Sequence, residues 1–223
     1  MKNQKLVVAF LTASTALFFT SCKKDVADNQ SGIKYKIQTV NRTSAVGRML
    51  GGNIQWTSGY GYATEIKFEA ETDNSKVEYK SQVPQRIDLF SGIVNLGNII
   101  IPPGTYKEID FEVELNSSGA NAALELNGQF NNGSSTTPII LRVNSEFEIE
   151  TEKSNVVITT NNSYSAITNL NLSLLTSGIT EAMLNNADRT NGTIVISSSS
   201  NVILYNIILN NLRDCDGVEF EDD

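Results

Sequence analysis

Three groups of side chains have the types and spacing to do chemistry. Asp110, Glu112 and Glu114 stand two residues apart, and glycoside cleavage needs two carboxyl groups about 5 to 10 Å from each other. Asp214-Cys215-Asp216-Gly217, followed by Glu219, Glu221, Asp222 and Asp223, gathers oxygen donors of the kind that hold Ca²⁺. Trp56, Tyr60 and Tyr62 lie around Gly59 and Gly61, and exposed rings of this kind stack on sugar faces.

Each group also has a plainer reading. Asp110, Glu112 and Glu114 alternate with Ile109, Phe111, Val113 and Leu115, which makes them the wet face of a strand whose other face is dry. No raised carboxyl pKa is expected there, and catalysis is not the favoured reading. The acidic residues after Asp214 lack the regular ligand series and closing glutamate of a calcium loop, so a frayed, solvated tail is expected over 214–223. Trp56, Tyr60, Tyr62, Ile66 and Phe68 are all even-numbered. One continuous strand therefore turns every ring into the core, and only a bulge at the glycines would release them.

The elements that must position these groups are strands. Period-two alternation runs from Ile33 onward: Ile33, Tyr35 and Ile37 against Lys34, Lys36 and Gln38, then Ile66, Phe68 and Ala70 against Lys67, Glu69 and Glu71. Further strands are predicted over 77–79, 85–90, 122–130, 138–143, 146–151, 156–160, 167–175 and 193–197. Asn131-Asn132-Gly133 marks a hairpin turn and 117–121 another loop. Pro103 and Gly104 in Pro102-Pro103-Gly104-Thr105-Tyr106 predict a type II turn, with Tyr106 packing at a sandwich corner. Ile179, Met183 and Ala187 recur every four residues, as do Leu204, Ile208 and Leu212. These suit short helices, the second capped by Ser200 or Asn201. The expected fold is all-β: an antiparallel β-sandwich of about 8–10 strands with one or two short helices near the C-terminus. No internal repeat is evident.

Composition removes whole classes of mechanism. There is no histidine, so Ser-His-Asp and Cys-His catalysis, imidazole zinc sites and a histidine pH switch are excluded. Of the two cysteines, Cys22 and Cys215, the first belongs to the N-terminal segment described next, which leaves Cys215 without an intramolecular disulfide partner. The net charge of −8 argues against nucleic acid and against attraction to anionic lipid head groups.

Lys2 and Lys5 form a basic head, Leu6 to Phe19 an apolar run, and Thr20-Ser21 a small-residue approach to Cys22. This is the layout of a cleavable signal peptide. The apolar run falls short of the roughly 20 residues that cross a bilayer. The segment Leu17-Phe18-Phe19-Thr20-Ser21-Cys22 resembles the lipobox of bacterial lipoproteins, with Phe19 where a leucine-like residue is usual. That resemblance implies cleavage before Cys22 and covalent lipid on its sulfur and new amino group. Several acyl chains, at about 0.8 kcal/mol per buried CH₂, would anchor it stably. The expected organisation is a signal peptide over 1–21, a flexible tether over 22–31, a sandwich domain over 32–213 and the acidic tail over 214–223. Loss of 1–21 removes Lys2, Lys5 and no acid, which takes the charge from −8 to −10.

The Pro102–Tyr106 turn, the Arg86-Ile87-Asp88-Leu89-Phe90 strand, the Trp56 segment and the Asn/Ser-rich C-terminal part are similar to uncharacterised β-sandwich lipoproteins of the Bacteroidota cell envelope. The resemblance implies location and fold, not an activity. The expectation is a non-catalytic, lipid-anchored outer-membrane lipoprotein, facing the periplasm or the exterior. Its loops or an edge strand would meet a protein or glycan partner, and no cofactor beyond the lipid is expected. The alternatives are a subunit of a surface fibre and, third, a carboxylate hydrolase.

Overall fold

The computed structural model describes residues 31–40, 53–82, 84–214 and 217–222. Cys22, Cys215 and Asp216 lie outside them, as do the signal and most of the tether. In chain order the strands are β1 (Ser31–Val40), β2 (Ile54–Glu71), β3 (Lys76–Ser81), β4 (Gln85–Asp88), β5 (Val94–Ile101), β6 (Gly104–Leu115) and β7 (Leu124–Asn131). There follow β8 (Thr136–Val143), β9 (Phe147–Ile158), β10 (Ser163–Asn171), α1 (Leu172–Leu175), α2 (Glu181–Asn185), β11 (Arg189–Thr190), β12 (Thr193–Ile196), α3 (Val202–Asn211) and β13 (Val218–Asp222).

Alternation of apolar and polar residues gives each sheet one dry face, and two dry faces must meet. The smaller sheet runs β13–β10–β1–β5. The larger is organised on β2, which pairs β7 through its first half and β6 through its second, with β4 and β3 also against it; β9 extends β6, and β8, β12 and β11 extend β7. The two sheets close on Phe111, whose ring lies 4.9 Å from that of Tyr35 on β1 and 5.2 Å from that of Phe68 on β2. Beside the rings, Thr168 on β10 hydrogen-bonds both Tyr35 and Thr151, each at 3.2 Å. These buried polar atoms thus satisfy one another across the sandwich. Farther along, Leu204, Tyr205 and Ile208 of α3 and Leu172 and Leu175 of α1 belong to the same buried core as Ile139, Leu141, Ile194 and Ile196.

The all-β sandwich is therefore present, but not every pairing is antiparallel. β1 lies parallel to β10 and β12 parallel to β8, because the partners join through long excursions rather than tight turns. Among the described residues there are thirteen strands. The strands beyond those expected from the sequence include β5 and β13. The tail does not fray where it is described: Val218–Asp222 pairs β10, and Phe220 stacks on Tyr164 with ring centroids 5.6 Å apart. The predicted 167–175 strand stops at Asn171, whose side-chain oxygen accepts from the Ser173 N–H at 3.1 Å and starts α1.

Two local expectations are corrected. Gly104 does not take a positive φ. It opens β6 instead of completing a type II turn, and the corner is held by the buried Tyr106 hydroxyl, which donates to the Pro102 carbonyl at 2.8 Å. Asn201 precedes α3 in the left-handed region, at φ 51°, without capping it. Its side chain instead bonds the Asp188 backbone on both sides and the Val195 carbonyl.

Candidate functional site: an acidic face on the larger sheet

β2 carries two bulges, which skip Thr57 and Thr64 in the pairing. Each inserts one residue and so exchanges the faces. Trp56, before the first, packs in the core. Between the bulges Gly59, Gly61 and Ala63 turn inward beside Leu126, Leu124 and Leu115, and Tyr60 and Tyr62 turn outward beside Glu125 and Arg86. After the second bulge Ile66, Phe68 and Ala70 are again inside. The single-strand parity reading therefore fails for Tyr60 and Tyr62. Gly59 is required here: a methyl group on it would sit 2.5 Å from the Glu125 carbonyl oxygen.

Outward direction does not make these rings a sugar platform. The Arg86 guanidinium lies 3.9 Å over the Tyr60 ring, a cation–π contact that occupies the face a sugar would need. The Tyr60 hydroxyl accepts from the Ala122 N–H at 3.2 Å. Tyr60 is buried and Tyr62 half-buried.

The second bulge also sets the outer face of the β2–β6–β9 ladder. Glu65, Lys67, Glu69 and Glu71 on β2 stand opposite Glu114, Glu112, Asp110 and Glu108 on β6. On the far side of β6, Glu114, Glu112 and Asp110 face Glu148, Glu150 and Glu152 of β9. Directly opposed residues have side chains about 5 Å apart, so the rows form a field of carboxylates. Two shallow depressions meet on it at Glu150. One, about 410 Å³, is lined by Lys67, Glu69, Tyr79, Lys80, Asp110 and Glu112 among others; the second, about 550 Å³, by Glu146, Phe147, Glu148, Glu150 and Arg213.

Charge balance differs along the face. Lys67 bonds Glu112 and lies 3.3 Å from Glu148, and these carboxylates hold its ammonium well above the usual lysine range. Glu65, only 5% exposed, is held below the ordinary carboxylate range, first by a hydrogen bond from Lys80 and then by one from Gln82. At the other end, no cation among the described residues pairs with Asp110 itself. Burial first, then Glu108, Glu152, Glu69 and Glu150 around it, pushes the Asp110 carboxyl up to about 6. Glu152 lifts Glu108 as well, and burial lifts Glu112 despite Lys67. The expectation of unraised carboxyls on this strand is thereby corrected.

Glu108, Asp110 and Glu152 each offer a carboxylate oxygen, all within 4.8 Å of one another. Such oxygens suit a hard cation, although Glu108 and Glu152 are exposed. Of the other calcium candidates, Asp214 closes a 3-10 turn, Leu212–Asp214, and Asp216 lies outside the described residues. Sequence reasoning found Asp110, Glu112 and Glu114 but not their partners Glu69, Glu148, Glu150 and Glu152. The alternation of Glu148, Glu150 and Glu152 was visible in the sequence, whereas its pairing with β6 was not.

Compared with protein-family models, curated proteins and solved structures, the chain matches none. No enzyme family is therefore indicated, and among the described residues no helix is long and apolar enough to cross a membrane.

Proposed function

We propose that this chain is a lipid-anchored, non-catalytic binding protein of a bacterial outer membrane. In this reading it holds a basic segment of a protein partner on the acidic face of the larger sheet. The observation that carries the reading is the run Glu69–Asp110–Glu152 across β2, β6 and β9. Like charges directly opposite one another destabilise a sheet, and one lysine in place of any of them would relieve it, as Lys67 does beside Glu112. Lys76 pairs with Glu69 at 2.6 Å, but among the described residues no cation pairs with Asp110 or Glu152, and a local violation of this kind is expected at functional surfaces. A cationic partner supplies the missing charge.

The anchor fits the same reading. Lipid on Cys22 leaves nine steps of chain to Ser31, a reach of up to about 30 Å at full extension, enough to stand the sandwich off the bilayer. A protein partner is favoured over a glycan because the Tyr60 ring is already covered by Arg86.

The anchor predicts that labelled palmitate enters the wild-type chain and is lost from Cys22→Ala; label that persists would remove it. The face is tested by titrating a lysine-rich peptide into the full-length chain at about 20 mM and 500 mM salt, since screening lengths fall from roughly 20 Å to a few Å over that range. Binding is expected at low salt only, weakened at least about tenfold in Asp110→Asn/Glu152→Gln and unchanged in Glu219→Gln/Glu221→Gln, which removes equal charge from β13. Equal weakening in both double variants would reduce the face to net charge and sink the proposal.

A further inference from the structure

The edge strand β5 of the smaller sheet, which pairs only β1 among the described residues, carries a second surface, independent of the acidic face. Edge strands are normally guarded by charge. β13 carries Glu219 and Glu221, β9 carries Glu148, Glu150, Glu152 and Lys153, and β3 carries Lys76, Glu78 and Lys80. β5, Val-Asn-Leu-Gly-Asn-Ile-Ile-Ile, has no charged residue along its length.

The direction of its backbone groups follows from the ladder. The Gly32 N–H bonds the Asn162 carbonyl beside β10, so even-numbered residues of β1 turn their backbone groups to β10 and odd-numbered ones to β5. Ile33 and Ser31 therefore engage their register partners Ile99 and Ile101. Asn98 and Ile100, between and beside them, turn N–H and C=O outward. Among the described residues, no backbone hydrogen bond beyond the β1 ladder involves either. Asn98 is exposed and Ile100 is 59% exposed.

We infer that a second copy of this chain pairs with this edge, antiparallel, about a two-fold axis at Ile99. That register sets Asn98 of each copy opposite Ile100 of the other, and each pair exchanges both N–H···O bonds. The two four-stranded sheets then become one continuous sheet. Charge selects the occupant. The chain carries −8, and self-pairing along β9 or β13 would set glutamate against glutamate, whereas along β5 no charge meets another. The same neutrality gives a basic peptide nothing to hold. Pro102 and Pro103 follow Ile101 and, lacking N–H groups, end the pairing there.

Sedimentation of the full-length chain in mild detergent, at roughly 10 to 500 µM because so small an interface is weak, tests the pairing and its register. Wild type is expected to form dimers at the upper concentrations. Asn98→Lys/Ile100→Lys sets like charges opposite each other and is expected to weaken dimerisation at least tenfold. Asn98→Lys/Ile100→Glu sets the new ammonium opposite the new carboxylate and is expected to dimerise at least as well as wild type. Both double variants alter only exposed positions, and Val157→Lys, an equally exposed apolar residue on β9, is expected to leave dimers unchanged. A wild type that stays monomeric throughout would overturn the inference. So would two charged variants that behave alike.

Discussion

The outer face of the β2–β6–β9 ladder has two ends built on one pattern. At the β2 bulge, Glu65 is almost fully buried, yet Lys80 reaches it at 2.6 Å, Gln82 donates to it at 3.0 Å and Lys67 stands 3.6 Å away. Along the same strands, Asp110 meets Glu69 on one side and Glu152 on the other. One lysine does come near this end, but Lys76 is engaged by Glu69 and Glu78, each at 2.6 Å, and leaves Asp110 itself unrelieved. The chain thus neutralises the carboxylate buried at the bulge and leaves the half-buried Asp110 among other carboxylates. Burial alone does not decide which acid is paired. The contrast separates a carboxylate that serves the fold from a cluster that costs it stability, and that cost is the reason to assign the cluster a ligand.

Both ends rest on one dry layer, so cutting that layer is expected to have the largest effect on either. Phe111 is fully buried between Tyr35 and Phe68. Phe111→Ala is expected to lose about 3–5 kcal/mol in urea denaturation and to abolish peptide binding at the acidic face together with stability. A loss under about 1 kcal/mol would contradict the placement of that ring at the centre of the sandwich.

Much of this arrangement was legible in the sequence, and the limits of legibility are physical. Alternation in Ile109–Leu115 identified a strand and its wet face, because period two is a local property. The corner at Tyr106 was legible for the same reason, although the backbone reached it without the positive φ expected of Gly104. A bulge at the glycines was open as an alternative, but the positions at Thr57 and Thr64 were not legible, since an inserted residue leaves no composition signal of its own and yet exchanges every side chain beyond it. Pairing is non-local: nothing in 147–158 says that Glu152 stands against Asp110, so the raised carboxyl could not be anticipated. β13 was hidden by its acidity, which reads as a solvated tail until Phe220 is seen against Tyr164. Parallel contacts such as β1 with β10 join residues more than a hundred positions apart, beyond the reach of any local pattern.

Stability measurements of Glu65→Gln and Asp110→Asn, side by side across pH 4 to 7, separate a carboxylate that serves the fold from one that strains it. Glu65 has a folded pKa below its unfolded value of 4.5, so its contribution is present above that pH and lost as pH falls. Replacing it is expected to cost about 1–2 kcal/mol at pH 7, as Lys80 loses its charged acceptor. Asp110 has the opposite sign. Its folded pKa of about 6 lies above the unfolded 3.8, so the folded state holds the extra proton between those values, and stability falls as pH rises through them. Asp110→Asn is expected to match wild type near pH 4 and to exceed it by about 1 kcal/mol at pH 7, after solvent screening, while weakening binding of the lysine-rich peptide. An Asp110→Asn variant less stable than wild type at pH 7, or one that binds the peptide undiminished, would contradict the account.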